Sequence, residues 1–309
     1  RMYSRRAIVL AVLIGLAFIA STTHPWIHGG RLLASKYAGE FSTDFGYGGS
    51  FKAVDDSFHK EFGAAGIRSV RIEARPGDIT VTRADDDRIS INGERVAYGP
   101  SNQIAEERLR YVCLDAVQDG DVVRVVGSIW QPEPSSSDPA GPNGGFTNIV
   151  LRVPPGLAVY LQTPAGKVAL DGLTGTVEAH VDMGSIEARS ITGNLVLRTS
   201  AGRIAVTNAT IEEELSLTTS MGDIEFEGSL GTRNYVEVSA GRAQMTVPRS
   251  TCVRLDASTN AGQVNTNLPV TERKSEAMKS SAVGILGQGQ PTGDLKIRVS
   301  MGEINISGR

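Results

Sequence analysis

Few residues in this chain are of the types that carry catalytic or metal chemistry. The 309 residues include four histidines and two cysteines, too few for a haem array, an iron–sulfur cluster or a zinc framework. Asp85-Asp86-Asp87 could bind calcium, but a solvated turn between two strands accounts for this run better. Cys113 and Cys252 could form a disulfide outside the cytoplasm, and the sequence leaves their pairing open. We therefore predict no cofactor, no metal site and no catalytic residue.

Outward-facing carboxylates are the remaining route to enzyme chemistry. Polysaccharide-acting β-helix enzymes need acids and bases clustered across neighbouring rungs, and Glu187, Asp223 and Glu225 occupy positions of that kind. Acidic pairs on an exposed strand face are ordinary, so the sequence favours a protein that is not an enzyme. Its 31 basic and 34 acidic residues give a net charge of −3, which argues against the concentrated basic face of a nucleic-acid binder.

A repeat of about 20 residues predicts the fold that positions the surface residues of the chain. Glycine, one polar residue and then usually an aliphatic residue recur, and the first six of these glycines lie 18, 18, 20, 19 and 21 residues apart. Alternating apolar residues flank each one, which predicts an all-β fold: a β-solenoid of stacked rungs with a glycine at each corner. The predicted rung-corner glycines are Gly166, Gly184, Gly202, Gly222, Gly241, Gly262 and Gly302.

The amino-terminal segment is long and apolar enough to be a transmembrane helix. Ala7 to Ile27 follows three arginines and covers 21 residues, about 31 Å of helix, which predicts a single-pass signal-anchor with a cytoplasmic amino terminus. The alternative is a cleaved signal peptide, because the strictly apolar stretch is only 14 residues long. Either way the bulk of the chain is expected on the periplasmic side of a bacterial inner membrane. The predicted anchor residues include Ala7, Leu10, Leu13, Leu16, Ile19 and Trp26.

Composition divides the rest of the chain. Residues 1–27 are the cytoplasmic stub and anchor, and 28–62 are a Gly- and Ser-rich flexible linker. Residues 63–130 are an amino-terminal β region with a short helix, and 131–148 are a Pro/Ser/Gly loop. Residues 149–309 are the solenoid, interrupted by an inserted loop at 271–293. The final segment, Ser300–Arg309, resembles a further rung without a cap, so self-association through an open end is expected.

Three stretches carry a resemblance to a known family: Val70 to Val81, Leu151 to Leu157, and the tandem glycine rungs. In these the chain resembles a large bacterial family of unknown function whose members are often labelled putative adhesins. The resemblance implies a membrane segment followed by a β-solenoid, distantly similar to bactofilins. It brings no catalytic residues with it.

These observations together predict a non-enzymatic, membrane-anchored, extracytoplasmic scaffold. Such a subunit would dock on and stabilise a larger membrane protein assembly, for example a respiratory or photosynthetic complex. The expected partners are membrane lipid, at least one protein and other copies of the chain. A cell-surface adhesion module or a self-assembling solenoid is the alternative, although Gly166 to Arg309 contains only Phe226 and Tyr235 as aromatic residues for a glycan platform. A polysaccharide-acting enzyme ranks last.

Overall fold

The computed structural model describes residues 51–129, 145–275 and 279–309, and these form strands joined by tight turns with a single short helix. The predicted anchor, residues 28–50 of the linker and residues 131–144 of the Pro/Ser/Gly loop lie outside the described residues. Among those described, no helix has the length and apolar content needed to cross a membrane.

The strands are β1 (Phe51–Gly63), β2 (Ser69–Glu73), β3 (Ile79–Arg83), β4 (Arg88–Gly99), β5 (Val112–Asp119), β6 (Val122–Ile129), β7 (Gly145–Val153), β8 (Ala158–Asp171), β9 (Thr174–Arg189), β10 (Thr192–Ala201), β11 (Ile204–Met221), β12 (Ile224–Ser229), β13 (Arg233–Val247), β14 (Val253–Ala261), β15 (Val264–Thr266), β16 (Val270–Ser275), β17 (Ser280–Leu286) and β18 (Asp294–Gly308), and the helix is α1 (Asn102–Leu109).

Each rung consists of a first arm, a glycine corner and a second arm. In one rung Leu195–Thr199 is the first arm, Gly202 is the corner and Ile204–Thr207 is the second arm. Side chains alternate between buried and solvent-facing along each arm, because successive residues of a strand point to opposite faces. The buried rows of both arms join one apolar core that runs the length of the stack. The all-β prediction and the stacked repeat are confirmed.

The arms of neighbouring rungs pair in parallel over the whole stack. First arms follow the order β2, β8, β9, β10, β11, β13, β18, β14, and second arms follow β3, β8, β9, β11, β12, β13, β18, β15. The last strand in sequence, β18, therefore lies between β13 and β14. The prediction of an open end at Ser300–Arg309 is wrong, because this segment is paired on both sides.

Specific contacts hold β18 in the interior of the stack. Asn234, buried at the start of β13, donates from Nδ2 to the carbonyl oxygen of Asp294 at 2.9 Å and to that of Gly231 at 2.8 Å. On the other side Arg298 of β18 forms a two-nitrogen ion pair with Asp256 of β14. A side chain added to Gly293 would lie 2.5 Å from the carbonyl oxygen of Gly231, so glycine is required where β18 enters.

The amino-terminal β region is continuous with the solenoid. Strand β6 pairs with β2 and β7 pairs with β3, both in parallel, while β5, β4 and β1 extend these layers as antiparallel strands. Helix α1 packs on β4 and β1, and its amino terminus is capped by Ser101, whose Oγ accepts from the backbone N of Ile104. Residues 51–62, predicted as linker, instead form most of β1.

The predicted loop at 271–293 also contains regular structure. Strands β16 and β17 form an antiparallel hairpin, and β17 pairs along the full first arm of β14. This hairpin covers the first-arm edge at that end of the stack, as added strands commonly do for exposed edges. Among the described residues of this segment, Lys279 and the Gly- and Pro-containing stretch from Gly287 to Gly293 lie outside the strands.

All seven predicted rung-corner glycines adopt backbone φ angles from +136° to +150°. A Cβ atom built on any of them would lie 1.7–2.0 Å from the carbonyl oxygen of the corner glycine in the adjacent rung. No side chain fits that gap, so both the backbone conformation and the spacing between rungs require glycine. The corners thus form one column that begins at Gly77 and follows the spatial order, with Gly302 between Gly241 and Gly262.

We expect Gly222→Ala to destabilise the chain by at least about 3 kcal/mol, because it combines backbone strain with a backbone clash. Gly156→Ala is the matched control: Gly156 has φ +86° and no atom within 4 Å of the added Cβ, so it should cost only about 1–2 kcal/mol of strain. Urea unfolding followed by circular dichroism measures both. Equal losses for the two variants would contradict the role of close corner packing.

A buried hydroxyl offers a second prediction. Thr199 Oγ1 has no hydrogen-bond partner among the described residues, and its neighbours in the two adjacent first arms are Val181 and Thr219. Thr199→Val should therefore raise the free energy of unfolding by about 1 kcal/mol. Thr259→Val is the control, because Thr259 Oγ1 donates to the carbonyl of Gly302 at 3.1 Å, and this variant should not stabilise. Thermal unfolding distinguishes them, and an equal rise for both would count against the explanation.

Candidate functional site

One corner of the solenoid carries an alternating column of methionine and alanine. The column consists of the residue that precedes each corner glycine, and each member pairs with the next across the rungs. The alternation is strict in space but not in sequence, because β18 brings Met301 between two alanines. In spatial order the column reads Ala165, Met183, Ala201, Met221, Ala240, Met301, Ala261.

The three methionines are the most exposed large hydrophobic residues in the described part of the chain. Met183, Met221 and Met301 are 54%, 62% and 61% exposed. They recur every second rung, about 9.6 Å apart at the usual strand spacing, with an alanine notch between them. We call this column the methionine ridge. Flexible thioether side chains exposed in a row are typical of surfaces that adapt to an apolar partner.

Charged residues follow the ridge on its second-arm side. They are the residues directly after each corner glycine, and their signs alternate from Arg203 to Glu303 in spatial order. Asp223 Oδ1 also accepts a hydrogen bond from the backbone N of Arg242 at 2.9 Å, which ties two adjacent rungs. The column reads Lys167, Ser185, Arg203, Asp223, Arg242, Glu303, Gln263.

The carboxylates considered for enzyme chemistry are each engaged in contacts with neighbouring residues. Glu187 forms an ion pair with Lys167 at 2.8 Å, and Glu225 forms one with Arg203. The two glutamates lie two rungs apart, separated by Ala205. Within the described ranges, no group of three or more His, Cys, Asp or Glu side chains could hold a metal ion. This arrangement is typical of a charge-balanced surface.

The cysteines are too far apart to form a disulfide within the chain. Cys113 is exposed on β5, at one end of the first-arm layer, whereas Cys252 is buried next to β14 near the other end. Eight strands lie between β5 and β14, about 40 Å at the usual spacing, against the roughly 7 Å that a disulfide allows between Cα atoms. Both are free thiols.

Aromatic side chains provide little open platform on the solenoid. Phe226 is buried in the core, whereas Tyr235 and Tyr160 lie on one outward row of the first arms, four strands apart. A cation lies over each ring: Arg71 at 5.3 Å from the centroid of Tyr160, and Lys296 at 6.0 Å from that of Tyr235. Burial and the hydrogen bond to Glu237 raise the pKa of Tyr235.

Sequence reasoning did not identify the methionine ridge. The local signal is present, since Asp-Met-Gly and Ser-Met-Gly occur at residues 182–184, 220–222 and 300–302. Its regularity appears only once the rungs are placed in spatial order, because in sequence Ala240 is followed by Ala261 and then by Met301.

Ionised aspartates form contacts between strands near both ends of the stack. Hydrogen bonds from Ser57 and the ion pair with Arg95 lower the pKa of Asp55 to about 2. Hydrogen bonding to Lys60 lowers the pKa of Asp115, which ties β5 to β1. At the other end the hydrogen bonds from Arg298 lower the pKa of Asp256.

These shifts predict an acid limit to stability. A lowered carboxyl pKa contributes stability that is complete above the unfolded-state pKa of about 4 and is lost as the pH falls through the folded-state value. The melting temperature should therefore hold between pH 7 and 5 and decline between about pH 4 and 2. Asp55→Asn should lower the melting temperature at pH 7 and make this decline shallower. A melting temperature that is unchanged down to pH 2 would contradict the assignment.

Comparisons with known proteins give one family match and several similar structures. Residues 158–307 match the family model described as Toastrack DUF4097. Three crystal structures are similar at low identity: a putative cell adhesion protein from Clostridium sporogenes (11% identity, 84% of this chain and 100% of that one, TM-score 0.33), a putative adhesin from Bacteroides fragilis (10%, 82% and 97%, 0.28) and a putative adhesin from Parabacteroides merdae (11%, 82% and 95%, 0.30). None of the curated proteins matches the chain. The predicted resemblance is confirmed at the level of the family match: residues 158–307, just under half of the chain, match Toastrack DUF4097.

Proposed function

We propose that this chain is a non-enzymatic interaction scaffold, anchored in a bacterial inner membrane by Ala7 to Ile27, with its solenoid on the periplasmic side. There it docks on and stabilises a larger membrane protein assembly. The observation that carries the proposal is the methionine ridge, a regular apolar row that is exposed on an otherwise charge-balanced surface.

The rest of the stack suits a docking role because its pairing and corner packing are regular. Parallel pairing on both arms and the column of corner glycines fix the spacing between rungs, so the methionines keep constant separations. Completing the burial of three half-exposed methionines contributes about 1 kcal/mol each. That amount contributes to binding but requires matching polar contacts, which the adjacent charged column supplies.

Glycan adhesion has weaker support from the contacts. Sugar-binding platforms use open aromatic faces, and Arg71 and Lys296 lie over the faces of Tyr160 and Tyr235. Enzyme activity has no support from the ion-paired glutamates, Glu187 and Glu225.

The test is a triple variant, Met183→Ser, Met221→Ser and Met301→Ser, expressed in the native host in place of the wild-type chain. We expect the membrane-extracted wild type to co-migrate with partner proteins on a native gel, and the variant to be lost from that band by at least about tenfold, because the apolar contact is removed. Val283→Ser with Ile285→Ser is the control, since these residues are 43% and 40% exposed away from the ridge. Equal retention of the triple variant and the control, or wild type migrating alone, would overturn the proposal.

A further inference from the structure

The methionine ridge is complementary to itself when one copy is turned end for end. A two-fold axis that lies in the interface and across the stack reverses the order of the rungs. It also keeps the charged column of one copy opposite the charged column of the other. The two columns can therefore be compared position by position.

The methionines fit when the axis passes midway between the rungs of Met221 and Ala240. Met221 then faces Ala240 of the second copy, and the reciprocal contact forms at the same time. The same operation places Met183 opposite Ala261 and Met301 opposite Ala201. Every methionine of the ridge thus meets an alanine, whereas an axis through Met221 itself would oppose methionine to methionine.

The charged column selects the same register. With the axis between these rungs, Asp223 faces Arg242 and Arg203 faces Glu303, and each contact occurs twice by symmetry. With the axis through Met221, Asp223 would face its own copy and Arg203 would face Arg242, so like charges would meet. Two chemically independent columns, apolar and charged, therefore favour an axis midway between two rungs over an axis that passes through a rung.

A register centred between Ala201 and Met221 also opposes methionine to alanine. It relies on Lys167 and Arg203, which already form ion pairs with Glu187 and Glu225. Arg242, in contrast, is exposed and forms no ion pair with any described residue. The register centred between Met221 and Ala240 also draws on Arg203, but its two central contacts use the available cation Arg242. A register centred between Ala240 and Met301 would use Arg242 as well, but it leaves Met183 with no alanine opposite it.

We propose that the methionine ridge binds a second copy of this chain in antiparallel orientation, with Met221 against Ala240 of the partner copy. This inference rests on the proposed function, since it takes the ridge to be a docking surface and identifies one of its partners. The assembly that the chain joins would then be organised by pairs of this subunit.

The contact is narrow and belongs with weak, reversible interfaces. Seven rungs extend over about 30 Å, and a single corner buries less than the roughly 1,200 Å² of a stable complex. Anchoring in a shared membrane raises the effective concentration and offsets this weakness. The 23 residues from 28 to 50 can span up to about 75 Å, so antiparallel copies can reach the same membrane.

Disulfide trapping of the full-length chain in lipid vesicles tests the arrangement. On a Cys113→Ser background, which removes the exposed native thiol, Ala201→Cys and Met301→Cys are combined in one chain. Three strand spacings separate them within a copy, about 14 Å, too far for an internal bridge. The proposed pairing places them opposite each other between copies, so oxidation should give covalent dimers.

Ala165→Cys with Ala201→Cys is the matched control. In the proposed register no two of these positions come closer than about 14 Å between copies, whereas parallel copies would place each opposite itself. We expect at least about tenfold less covalent dimer from the control. Equal or greater dimer from the control would overturn the antiparallel pairing.

Charge reversal tests the register with the same reporter cysteines. Arg242→Asp places acid opposite acid at both contacts with Asp223, so the dimer fraction should fall about tenfold. Adding Asp223→Arg restores opposite signs and should return the dimer to within about twofold of the parent. No loss with Arg242→Asp, or no recovery in the combined variant, would overturn the register.

The outcomes for the ridge and for its partner are separable. If the reporter chain gives no dimer but the triple methionine variant is lost from the native assembly, self-pairing is wrong and the docking function stands. If the reporter gives no dimer and the triple variant stays in the assembly, both proposals fall.

Discussion

The structure depends on the close approach of backbone at the glycine corners. At each corner, the space that a Cβ atom would need is occupied by the carbonyl oxygen of the adjacent rung. Glycine is therefore the only residue that lets the chain turn there while both arms keep parallel hydrogen bonding. Because the corners stack directly on one another, the residues before and after each glycine also stack in register. The methionine ridge and its charged column follow from this constraint.

The placement of β18 shows how contacts distant in sequence determine the surface. Its first arm lies between β13 and β14, held by the buried amide of Asn234 and by the ion pair between Arg298 and Asp256. If rungs stacked in chain order, Ala240 and Ala261 would be adjacent and Met301 would lie at the end. The interior position of β18 creates the regular alternation, and it also buries the strand that would otherwise be an exposed edge.

The sequence predicted the repeated features of the fold, and it did not predict the elements that occur only once. The period of about 20 residues identified the corners, because each corner requires a residue with a positive φ and no Cβ atom. Strand β1 escaped prediction because a register shift between Asp55 and Phe58 breaks its alternation and because most of it faces solvent. The β16–β17 hairpin was not predicted because Gly284 within β17 and Gly287 directly after it resemble the glycines of a loop. The methionine ridge was not predicted because its alternation appears only when the rungs are placed in their spatial order.

Two features of the ridge have separate consequences for recognition. Methionine supplies apolar area with little shape preference, so by itself it would bind many partners weakly. Alternating charges add little affinity in water, but they penalise every register that brings like signs together. A partner must therefore match both a two-rung apolar period and an alternating sign. A second, inverted copy of the same column meets both conditions, because reversing an alternating row and shifting it by one rung places opposite members together.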